Sequence, residues 1–383
     1  MDFALSPQHE EIRRTVREFA EREIVPVADE MERTSEFPRA IIRRAAELGL
    51  LGVPYPEEIG GTGLDSLAYA ITVEELSRAS GSVGIIVSAH TSLGCYPVYA
   101  AGTPEQKERF LRPMASGQVL GAYGLTEAGA GSDSRGTKTR AHRDGDVWVL
   151  NGSKRFITNA GEAGFYVVTA VTDREAASGK ISAFIVEADA PGFSIGRMEE
   201  KMGLHASNTG ELLFDDCRIP AANLLGEEGE GDRLFLQTLD GGRIGIGAMA
   251  LGLAQAAFEA ASAYAKQREQ FGRPIAAFQG VAFMIADMAT QIDAARLMVY
   301  RAAWLKDRGK PFGTEAAMAK LFASEVARQV TNDAIQVHGG YGYVAEYKVE
   351  RYLRDAKLTE IGEGTSEIQR MVIARNLLGL RAM

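Results

Sequence analysis

The spacing of apolar residues changes twice along the 383-residue chain, and these two changes restrict the possible folds most strongly. Apolar residues recur at helical spacing up to about residue 120, alternate or form short runs from Tyr123, and return to helical spacing beyond Asp232. A chain of this length is also too long for one compact core. We therefore predict an α+β protein with an N-terminal helical domain at 1–120, a central antiparallel β domain at 121–228 and a C-terminal helical bundle at 229–383.

Helix signals are frequent in the first of these domains. Ser6 followed by Pro7 marks a helix start, and further helices are predicted at 38–49 and 66–79. The stretch 81–103 has no charged residue, and its length alone would allow a membrane span. Its Ser, Thr, His, Gly and Pro residues favour instead a helix buried inside a bundle. Thr103 and Gln106 have capping-box spacing and predict the start of the next helix.

The central domain shows strand and turn signals. The Asp144-Gly145 and Asn151-Gly152 pairs are typical of hairpin turns. Strands are predicted at 137–142, 147–150, 165–171, 181–187 and 211–214. In the last domain, long helical patterns at 234–270, 278–305, 314–337 and 365–380 predict an antiparallel four-helix bundle.

Charge and composition exclude several classes of function. The net charge of -9 and the pI near 5.3 argue against nucleic acid or an anionic membrane surface as a partner. The two cysteines and five histidines form no cluster with metal-ligand spacing, so we expect no metal site and a reducing compartment. The N-terminus lacks targeting features, so we expect a cytoplasmic, bacterial-type protein, or a mitochondrial matrix protein if the chain is a processed eukaryotic form.

One carboxylate near the end of the chain stands out. Glu363 lies between Gly362 and Gly364, so both its carboxylate and its own backbone N–H can approach a ligand closely. That layout is typical of a positioned base. The alternative is a solvated loop carboxylate that gains about 0.3–1 kcal/mol from the N-terminus of the next helix, which Thr365 or Ser366 would cap.

The residues around Glu363 resemble a known family. The run 354–357 followed by 363–370, Glu-Gly-Thr-Ser-Glu-Ile-Gln-Arg, resembles the catalytic loop of the acyl-CoA dehydrogenases, and the helix, sheet, helix order extends the resemblance over the whole chain. In that family the glutamate of the Glu-Gly-Thr run removes a proton from the α-carbon of the substrate. Isovaleryl-type members carry their base at the position of Gly242, and a glycine cannot act as one. The resemblance therefore assigns the base to Glu363. The sequence of residues 239–245 is most similar to that of the short-chain members.

The expected cofactor is FAD. A Rossmann site is disfavoured because no Gly-x-Gly-x-x-Gly stands between a strand and a helix. The Gly-rich segment 123–133 is instead similar to the family's flavin loop, whose serine also touches the CoA side, and Thr158 should lie near the flavin N5. Phe156 stands where many members carry tryptophan. The resemblance predicts cofactor contacts from Tyr123, Leu125, Thr126, Gly131, Ser132, Phe156, Ile157, Thr158, Arg268, Phe271, Gln279, Gln336, Gly339, Gly340, Thr365 and Glu367.

Substrate contacts and assembly follow from the same resemblance. Expected substrate-binding residues are Ser132, Asp240, Arg243 and Gly364, although Arg243 could equally be structural and pair with an acidic neighbour. In the family, Arg268 and Gln279 reach the FAD of a neighbouring subunit, so we expect a homotetramer. The chain departs from the family pattern at two places: Gly362 replaces a common tyrosine, and His205-Ala206 replaces Arg-Gly.

The predicted activity is the FAD-dependent α,β-dehydrogenation of a short- to medium-chain acyl-CoA to the trans-2-enoyl-CoA. An electron-transfer flavoprotein is the expected electron acceptor. Two alternatives remain at this point: an acyl-CoA oxidase-type flavoenzyme that passes electrons to oxygen, and a catalytically silent acyl-CoA-binding scaffold.

Overall fold

The computed structural model describes residues 3–173 and 180–379; Leu380, the predicted end of the last helix, lies outside the described residues, as do 1–2 and 381–383 of the predicted outer domains. The α-helices are α1 (Pro7–Phe19), α2 (Ala28–Thr34), α3 (Arg39–Glu47), α4 (Ser66–Ala79), α5 (Gly81–Ser88), α6 (Tyr96–Ala101), α7 (Pro104–Gln106), α8 (Arg112–Ala115), α9 (Gly231–Gln267), α10 (Gln279–Asp307), α11 (Gly313–His338), α12 (Val349–Thr359) and α13 (Ser366–Leu378). The strands are β1 (Leu120–Gly124), β2 (Arg140–Asp144), β3 (Val147–Thr158), β4 (Ala163–Asp173), β5 (Lys180–Glu187), β6 (Phe193–Met198), β7 (Thr209–Pro220), β8 (Leu224–Leu225), β9 (Glu269–Gln270) and β10 (Arg273–Pro274).

The helices of the first part begin where the capping residues predict. The Ser6 hydroxyl accepts a hydrogen bond from the His9 N–H, with Pro7 at the first helical position of α1. Thr103 and Gln106 form the predicted capping box. The uncharged stretch is confirmed as a buried helical segment, in which α5 and α6 are joined by a π-helical turn at Ala89–Cys95. It therefore forms part of the interior.

A histidine links this buried segment to the sheet. His90 lies in the π-helical turn, where its Nε2 donates to the Met114 carbonyl at 3.1 Å and its Nδ1 accepts from the Gly121 N–H at 2.9 Å. One donating and one accepting nitrogen define a neutral imidazole. Burial lowers its pKa to about 4, which agrees with that neutral form. The helical first part and β1 are thus joined by a structural histidine.

The main sheet has eight strands in the order β6-β7-β3-β2-β4-β5-β8, with β1 paired to β4. The pairings are antiparallel, except that β1 and β2 each run parallel to β4. All five predicted strands are present, whereas β1, β6 and β8 were not predicted. Of the two hairpin turns, Asp144-Gly145 is confirmed between β2 and β3. The Asn151-Gly152 turn is wrong, because β3 continues through it with a register shift at Gly152, whose φ is +142°.

The last part is a bundle around α9, α10 and α11, and α4 from the first part packs against α9. Each of the four predicted helices is present. Helix α12 was not predicted, and it packs against both α9 and α11. Among the described residues only α9 is long and apolar enough to cross a membrane, and 78% of its apolar window is buried in the protein. We therefore regard α9 as the central core helix of the bundle.

Candidate active site

The turn between α12 and α13 holds Glu363 in a left-handed conformation. The φ angles are +54° at Glu363 and +96° at Gly364, and the first is uncommon for a residue with a side chain. Such a conformation costs about 1–2 kcal/mol for a non-glycine residue, so the surrounding structure must stabilise it. Backbone hydrogen bonds in the turn run from Ile361 and Gly362 to the Leu358 carbonyl at 2.9 and 2.8 Å, and from Ser366 to the Glu360 carbonyl at 3.0 Å. In the described part of the chain the Glu363 N–H has no partner within this turn.

The Glu363 carboxylate lies against α9 at Gly242. A Cβ atom placed on Gly242 would be 1.9 Å from Oε2 of Glu363 and 3.0 Å from the Leu93 side chain. Any larger residue at 242 would therefore collide with the carboxylate. Positions 242 and 363, which the resemblance connects with the base, are therefore adjacent in space. The glycine at 242 leaves room for the Glu363 carboxylate.

Burial sets the charge state of Glu363. Its Oε2 atom is buried and has no hydrogen-bond partner among the described residues. Burial raises the pKa of Glu363 to about 7, although the positive charges of Lys320 and Arg243 oppose this shift. A carboxylate with a pKa near neutrality can accept a proton at physiological pH and release it again. The geometry and the protonation both suit a general base.

Arg243 of α9 lies near this carboxylate, and it pairs with Asp240 of the same helix. Arg243 is buried and forms an ion pair with Asp240, so it has the acidic partner that a structural role requires. The Nε atom of Arg243 is buried without a hydrogen-bond partner among the described residues. Burial lowers the pKa of Arg243 and raises that of Asp240, and their mutual attraction opposes both shifts. This Nε therefore has an unsatisfied capacity to donate a hydrogen bond.

Two tyrosines complete the surroundings of Glu363. Tyr123 on β1 donates its hydroxyl to the Phe235 carbonyl at 3.1 Å and stacks on the Phe235 ring at 4.3 Å. The Tyr69 hydroxyl of α4 lies 3.0 Å from Oγ of Ser88. Burial raises the pKa of both phenols, and the negative charge of Glu363 adds to this effect. Elements from all three parts of the chain therefore surround Glu363.

The Gly-rich loop after β1 is fixed at its start and open at its end. The Thr126 carbonyl accepts from the Arg155 N–H at 2.8 Å, and the Leu125 carbonyl accepts from Lys154 Nζ at 3.3 Å. Gly131 and Ser132 are exposed, and a Cβ on Gly131 would have no neighbour within 4 Å. Backbone N–H groups and the Ser132 hydroxyl are therefore accessible to a ligand.

The end of β3 presents an aromatic ring to solvent. A register shift between Lys154 and Ile157 leaves Phe156 at φ +59° and 62% exposed. Ile157 is buried in the sheet core, so only its backbone is available to a cofactor. Thr158 is half-buried at the strand end. An exposed ring beside open backbone is a surface that a flat aromatic group such as isoalloxazine can cover.

Six further predicted cofactor residues lie at the other end of α9. Arg268, Gly339 and Gly340 line a cavity of about 760 Å³. The C-terminal ends of α9 and α11 both lie at this cavity. Gln336 lies in the last turn of α11, Gln279 begins α10, and Phe271 is 93% exposed at the tip of the β9–β10 hairpin. Residues 242 and 268 are 26 positions apart on α9, about 39 Å along the helix. One chain therefore carries two separate groups of predicted cofactor residues.

Thr365 and Glu367 open α13 directly after the turn. The Thr365 hydroxyl accepts from the Ile368 N–H at 3.3 Å, which confirms Thr365 as the helix cap. Glu367 is exposed, and hydrogen bonds from its own backbone N–H and from Thr365 lower its pKa. An anionic residue beside a helix N-terminus is favourably placed.

The two departures from the family pattern occupy different environments. A Cβ on Gly362 would meet only ordinary contacts, the nearest being the Leu358 carbonyl at 3.5 Å, so a side chain would fit there. His205 lies between α2 and the loop before β7, where Nδ1 is 3.2 Å from the Glu32 carbonyl and Nε2 is 2.9 Å from the Lys201 carbonyl. Its ring nitrogens are thus bonded within the protein.

Sequence reasoning missed two residues that support the turn. Lys320 on α11 is fully buried, and its Nζ donates to the Gly364 carbonyl at 2.7 Å. Gln369 on α13 is also fully buried and donates to the same oxygen at 2.8 Å. The sequence signal for Lys320 was that it is a single lysine on a helix face otherwise formed by the alanines at 316, 317, 319 and 323.

Three family models match the chain. The N-terminal domain of acyl-CoA dehydrogenases matches residues 6–118, the middle domain matches 122–217 and the C-terminal domain matches 229–378. Together they cover most of the sequence. The chain belongs to the acyl-CoA dehydrogenase family.

Relatives extend over the whole chain. A probable acyl-CoA dehydrogenase of Bacillus subtilis, YngJ, is 55% identical, over 99% of this chain and 100% of its own length. A short-chain specific acyl-CoA dehydrogenase of Clostridium acetobutylicum is 51% identical, over 98% of this chain and 99% of its own. The solved butyryl-CoA dehydrogenase of Megasphaera elsdenii is 46% identical, with a TM-score of 0.97 over 99% of this chain and 100% of its own. Relatives occur in bacteria and in mitochondria.

Two further solved structures concern cofactor and partner. An acyl-CoA dehydrogenase of Bacillus anthracis in complex with FAD is 38% identical, with a TM-score of 0.93 over 98% of this chain and 67% of its own. A chain solved in work on an electron transferring flavoprotein of Acidaminococcus fermentans is 51% identical, with a TM-score of 0.97 over 99% of this chain and 100% of its own. The chain is an acyl-CoA dehydrogenase, a flavin-dependent oxidoreductase that acts on CH–CH bonds, and its cofactor is FAD.

Proposed function

We propose that the enzyme converts short- to medium-chain acyl-CoA to the trans-2-enoyl-CoA, with Glu363 as the base. The observation that best supports this proposal is the position of the Glu363 carboxylate. Its Oε2 atom is buried against Gly242 and has no hydrogen-bond partner among the described residues. Its pKa, raised to about 7, suits a base that works at neutral pH. A carboxylate without internal partners is free to receive a proton from a ligand.

The reaction divides two hydrogens between two acceptors. Glu363 takes the α-hydrogen as a proton, the electrons of that C–H bond form the new C=C bond, and the β-hydrogen leaves with its electron pair. FAD, when bound, supplies the acceptor for that hydride. The Glu363 N–H is a suitable donor to the thioester oxygen, where negative charge develops when the α-proton leaves. A donor in such a position typically contributes about 2.7–4 kcal/mol to the transition state.

The cofactor site is divided between chains in this proposal. One group of residues holds the flavin: Tyr123, Leu125, Thr126, Gly131, Ser132, Phe156, the Ile157 backbone, Thr158, Thr365 and Glu367. A second copy supplies the group at the far end of α9: Arg268, Phe271, Gln279, Gln336, Gly339 and Gly340. The separation of about 39 Å along α9 supports this division. We accordingly propose a homotetramer.

The substrate lies between the flavin loop and α9. Ser132, Asp240, Arg243 and Gly364 are the proposed contacts, and the free Nε of Arg243 is one available donor. The short-chain specific and butyryl-CoA relatives support a short acyl chain. The space at Gly362 supports extension of the substrate range to medium-length chains. We also propose an electron-transfer flavoprotein as the electron acceptor, supported by the similar chain solved with work on such a protein.

The test compares Glu363→Gln with a matched control, Glu360→Gln. Glu360 belongs to the same turn but is ion-paired with Arg328 and Lys357. We expect Glu363→Gln to retain bound flavin and to lose turnover by about 10²–10⁴-fold, the usual contribution of a general base. Glu360→Gln should keep nearly full turnover. Near wild-type turnover in Glu363→Gln would show that the base lies elsewhere.

Two further measurements define the substrate and the acceptor. Anaerobic titration with acyl-CoAs of graded length, followed by flavin bleaching, gives the preferred chain. We expect the strongest bleaching with short to medium chains. Stopped-flow mixing of the reduced enzyme with oxygen should show slow reoxidation while product is bound. Rapid reoxidation under those conditions would instead identify an oxidase.

A further inference from the structure

Lys320 is buried in the centre of the bundle. It lies on α11 and is 0% exposed. A Cβ atom placed on Gly247 of α9 would be 3.8 Å from the Lys320 backbone, so α9 packs closely against α11 at this point. A buried ammonium needs partners, because removing it from water is costly. The partner that the structure provides is the Gly364 carbonyl, 2.7 Å from Nζ. The lysine thus crosses from the core to the residue next to Glu363.

The Gly364 carbonyl receives two buried donors. Gln369 Nε2 lies 2.8 Å from the same oxygen and 3.4 Å from the Glu363 carbonyl. Lys320 therefore donates to Gly364, and Gln369 donates to both Glu363 and Gly364, the two residues with positive φ. The left-handed turn that directs Glu363 toward Gly242 is therefore fixed from α11 and from α13 at once. Only one of these donors, Lys320, also carries a charge.

The charge of Lys320 acts on Glu363. Burial lowers the pKa of Lys320 to about 8, and the attraction of Glu363 opposes that shift. The other charged groups near Lys320 are Arg243, which lowers its pKa further, and Glu360 and Glu367, which raise it. On the Glu363 side, the cations that oppose burial are Lys320 and Arg243, and the phenols of Tyr69 and Tyr123 face the same carboxylate. Of these two cations, Lys320 has the larger effect on the pKa of Glu363.

We propose that Lys320 is a positioning residue that holds the Glu363 turn through the Gly364 carbonyl and favours the ionised form of the Glu363 carboxylate. This inference rests on the proposed role of Glu363 as the base. Lys320 itself touches neither substrate nor cofactor in this assignment. It acts through Glu363.

The experiment compares Lys320→Met with Gln369→Met in the flavin-loaded enzyme. Both variants remove one donor to the same carbonyl, but only the first removes a charge. Loss of the cation should raise the pKa of Glu363 by about one unit, which lowers turnover at pH 7 about fivefold and leaves the alkaline plateau within about threefold of wild type. Gln369→Met should lower turnover by a similar factor at every pH, without moving the midpoint of the acidic limb.

A second readout does not depend on turnover. Infrared difference spectra give the protonated fraction of Glu363 from the carboxylic C=O band that disappears in Glu363→Gln. Its midpoint should move upward in Lys320→Met and stay in place in Gln369→Met. Lys320→Gln, which keeps a donor without the charge, should show the same shift and serves if the methionine variant folds poorly.

Two outcomes would overturn the inference. One is an unchanged midpoint in both Lys320 variants, and the other is an equal shift in Lys320→Met and Gln369→Met. Either result leaves the role of Glu363 intact, since that role depends on Glu363→Gln alone. Full turnover in Glu363→Gln would instead remove the proposed function on which the inference rests.

Discussion

Two carboxylates in this enzyme each lie near a fully buried lysine, and they differ in charge state. Glu127 in the central domain is accompanied by Lys154, and Glu363 in the last part by Lys320; both lysines are 0% exposed. The pKa of Glu127 is lowered to about 2, whereas that of Glu363 is raised to about 7. A buried lysine nearby is therefore not sufficient to hold a carboxylate in its ionised form.

Hydrogen bonds explain the difference. Burial favours the protonated form of both groups, but Glu127 also accepts from Lys154 Nζ at 2.8 Å, from the Lys138 and Thr139 N–H groups and from the Thr137 hydroxyl. Lys320 instead donates its hydrogen bond to the Gly364 carbonyl, and it acts on the Glu363 carboxylate itself only through its charge. Glu127 is a satisfied structural ion, whereas Oε2 of Glu363 has no hydrogen-bond partner in the part of the chain that the structure describes. Partner number separates a structural carboxylate from a reactive one.

The largest effect is expected when the satisfied pair is broken. Glu127→Gln leaves the buried Lys154 ammonium without its counter-charge, so the free energy of unfolding should fall by about 3–5 kcal/mol. Urea unfolding of the purified variant measures this loss. Asp144→Asn, which removes an exposed partner of Arg218, is the control and should lose no more than about 1 kcal/mol. Equal losses in the two variants would contradict the distinction between the satisfied pair and a surface pair.

The next effect concerns the space that Glu363 needs. Gly242→Ala places a Cβ where the Glu363 carboxylate lies, so this carboxylate, the proposed base, must move, and turnover should fall about a hundredfold. Gly241→Ala is the matched control on the same helix, because its Cβ would have only Lys306 Nζ at 3.4 Å. Steady-state kinetics measure both variants. Equal turnover in the two would show that Glu363 does not work from its position against α9.

The sequence predicted most of the fold because the signals that carried it are local. Period changes, the Ser6 and Thr103 caps and the Asp144-Gly145 turn each depend on residues close in the chain. The errors occurred where tertiary pairing decides the structure. Gly152 resembles a turn residue but lies in a strand, because β7 continues to pair on both sides of it. The short β8 strand exists only through its pairing with β5.

The candidate site was predictable in a different way. Glu363 stood out through its two flanking glycines, and the other predicted site residues came from resemblance. What could not be predicted is the set of contacts across the bundle: Gly242 beneath the carboxylate, and Lys320 behind the turn. These residues are 121 and 43 positions away from Glu363 in the sequence, and only the packing of α9 and α11 brings them together.

The two carboxylates should also give stability changes of opposite sign. The pKa of Glu363 is raised, so ionisation of this carboxylate destabilises the folded wild type as pH rises from 4.5 through 7. Glu363→Gln should therefore be more stable than wild type above pH 7, by no more than about 3 kcal/mol. Below pH 4.5 the two proteins should be equally stable. The pKa of Glu127 is lowered, so its stabilisation is full above pH 4.5 and is lost as pH falls toward 2. The deficit of Glu127→Gln should shrink over that lower range. Thermal unfolding across pH measures both curves, and the same sign in both would contradict the difference between the two sites.

The smallest effect is expected at Gly362, which adjoins the reactive carboxylate without supporting it. The φ of Gly362 is outside the left-handed region, and its added Cβ would meet only ordinary contacts, so Gly362→Tyr should change the free energy of unfolding by less than about 1 kcal/mol. The new ring would occupy space beside the base and narrow the acyl pocket. The ratio of kcat/KM for hexanoyl-CoA over butyryl-CoA should therefore fall about threefold to tenfold, while Gly362→Ala should leave it nearly unchanged. A ratio that stays constant in Gly362→Tyr would show that the acyl chain does not pass residue 362.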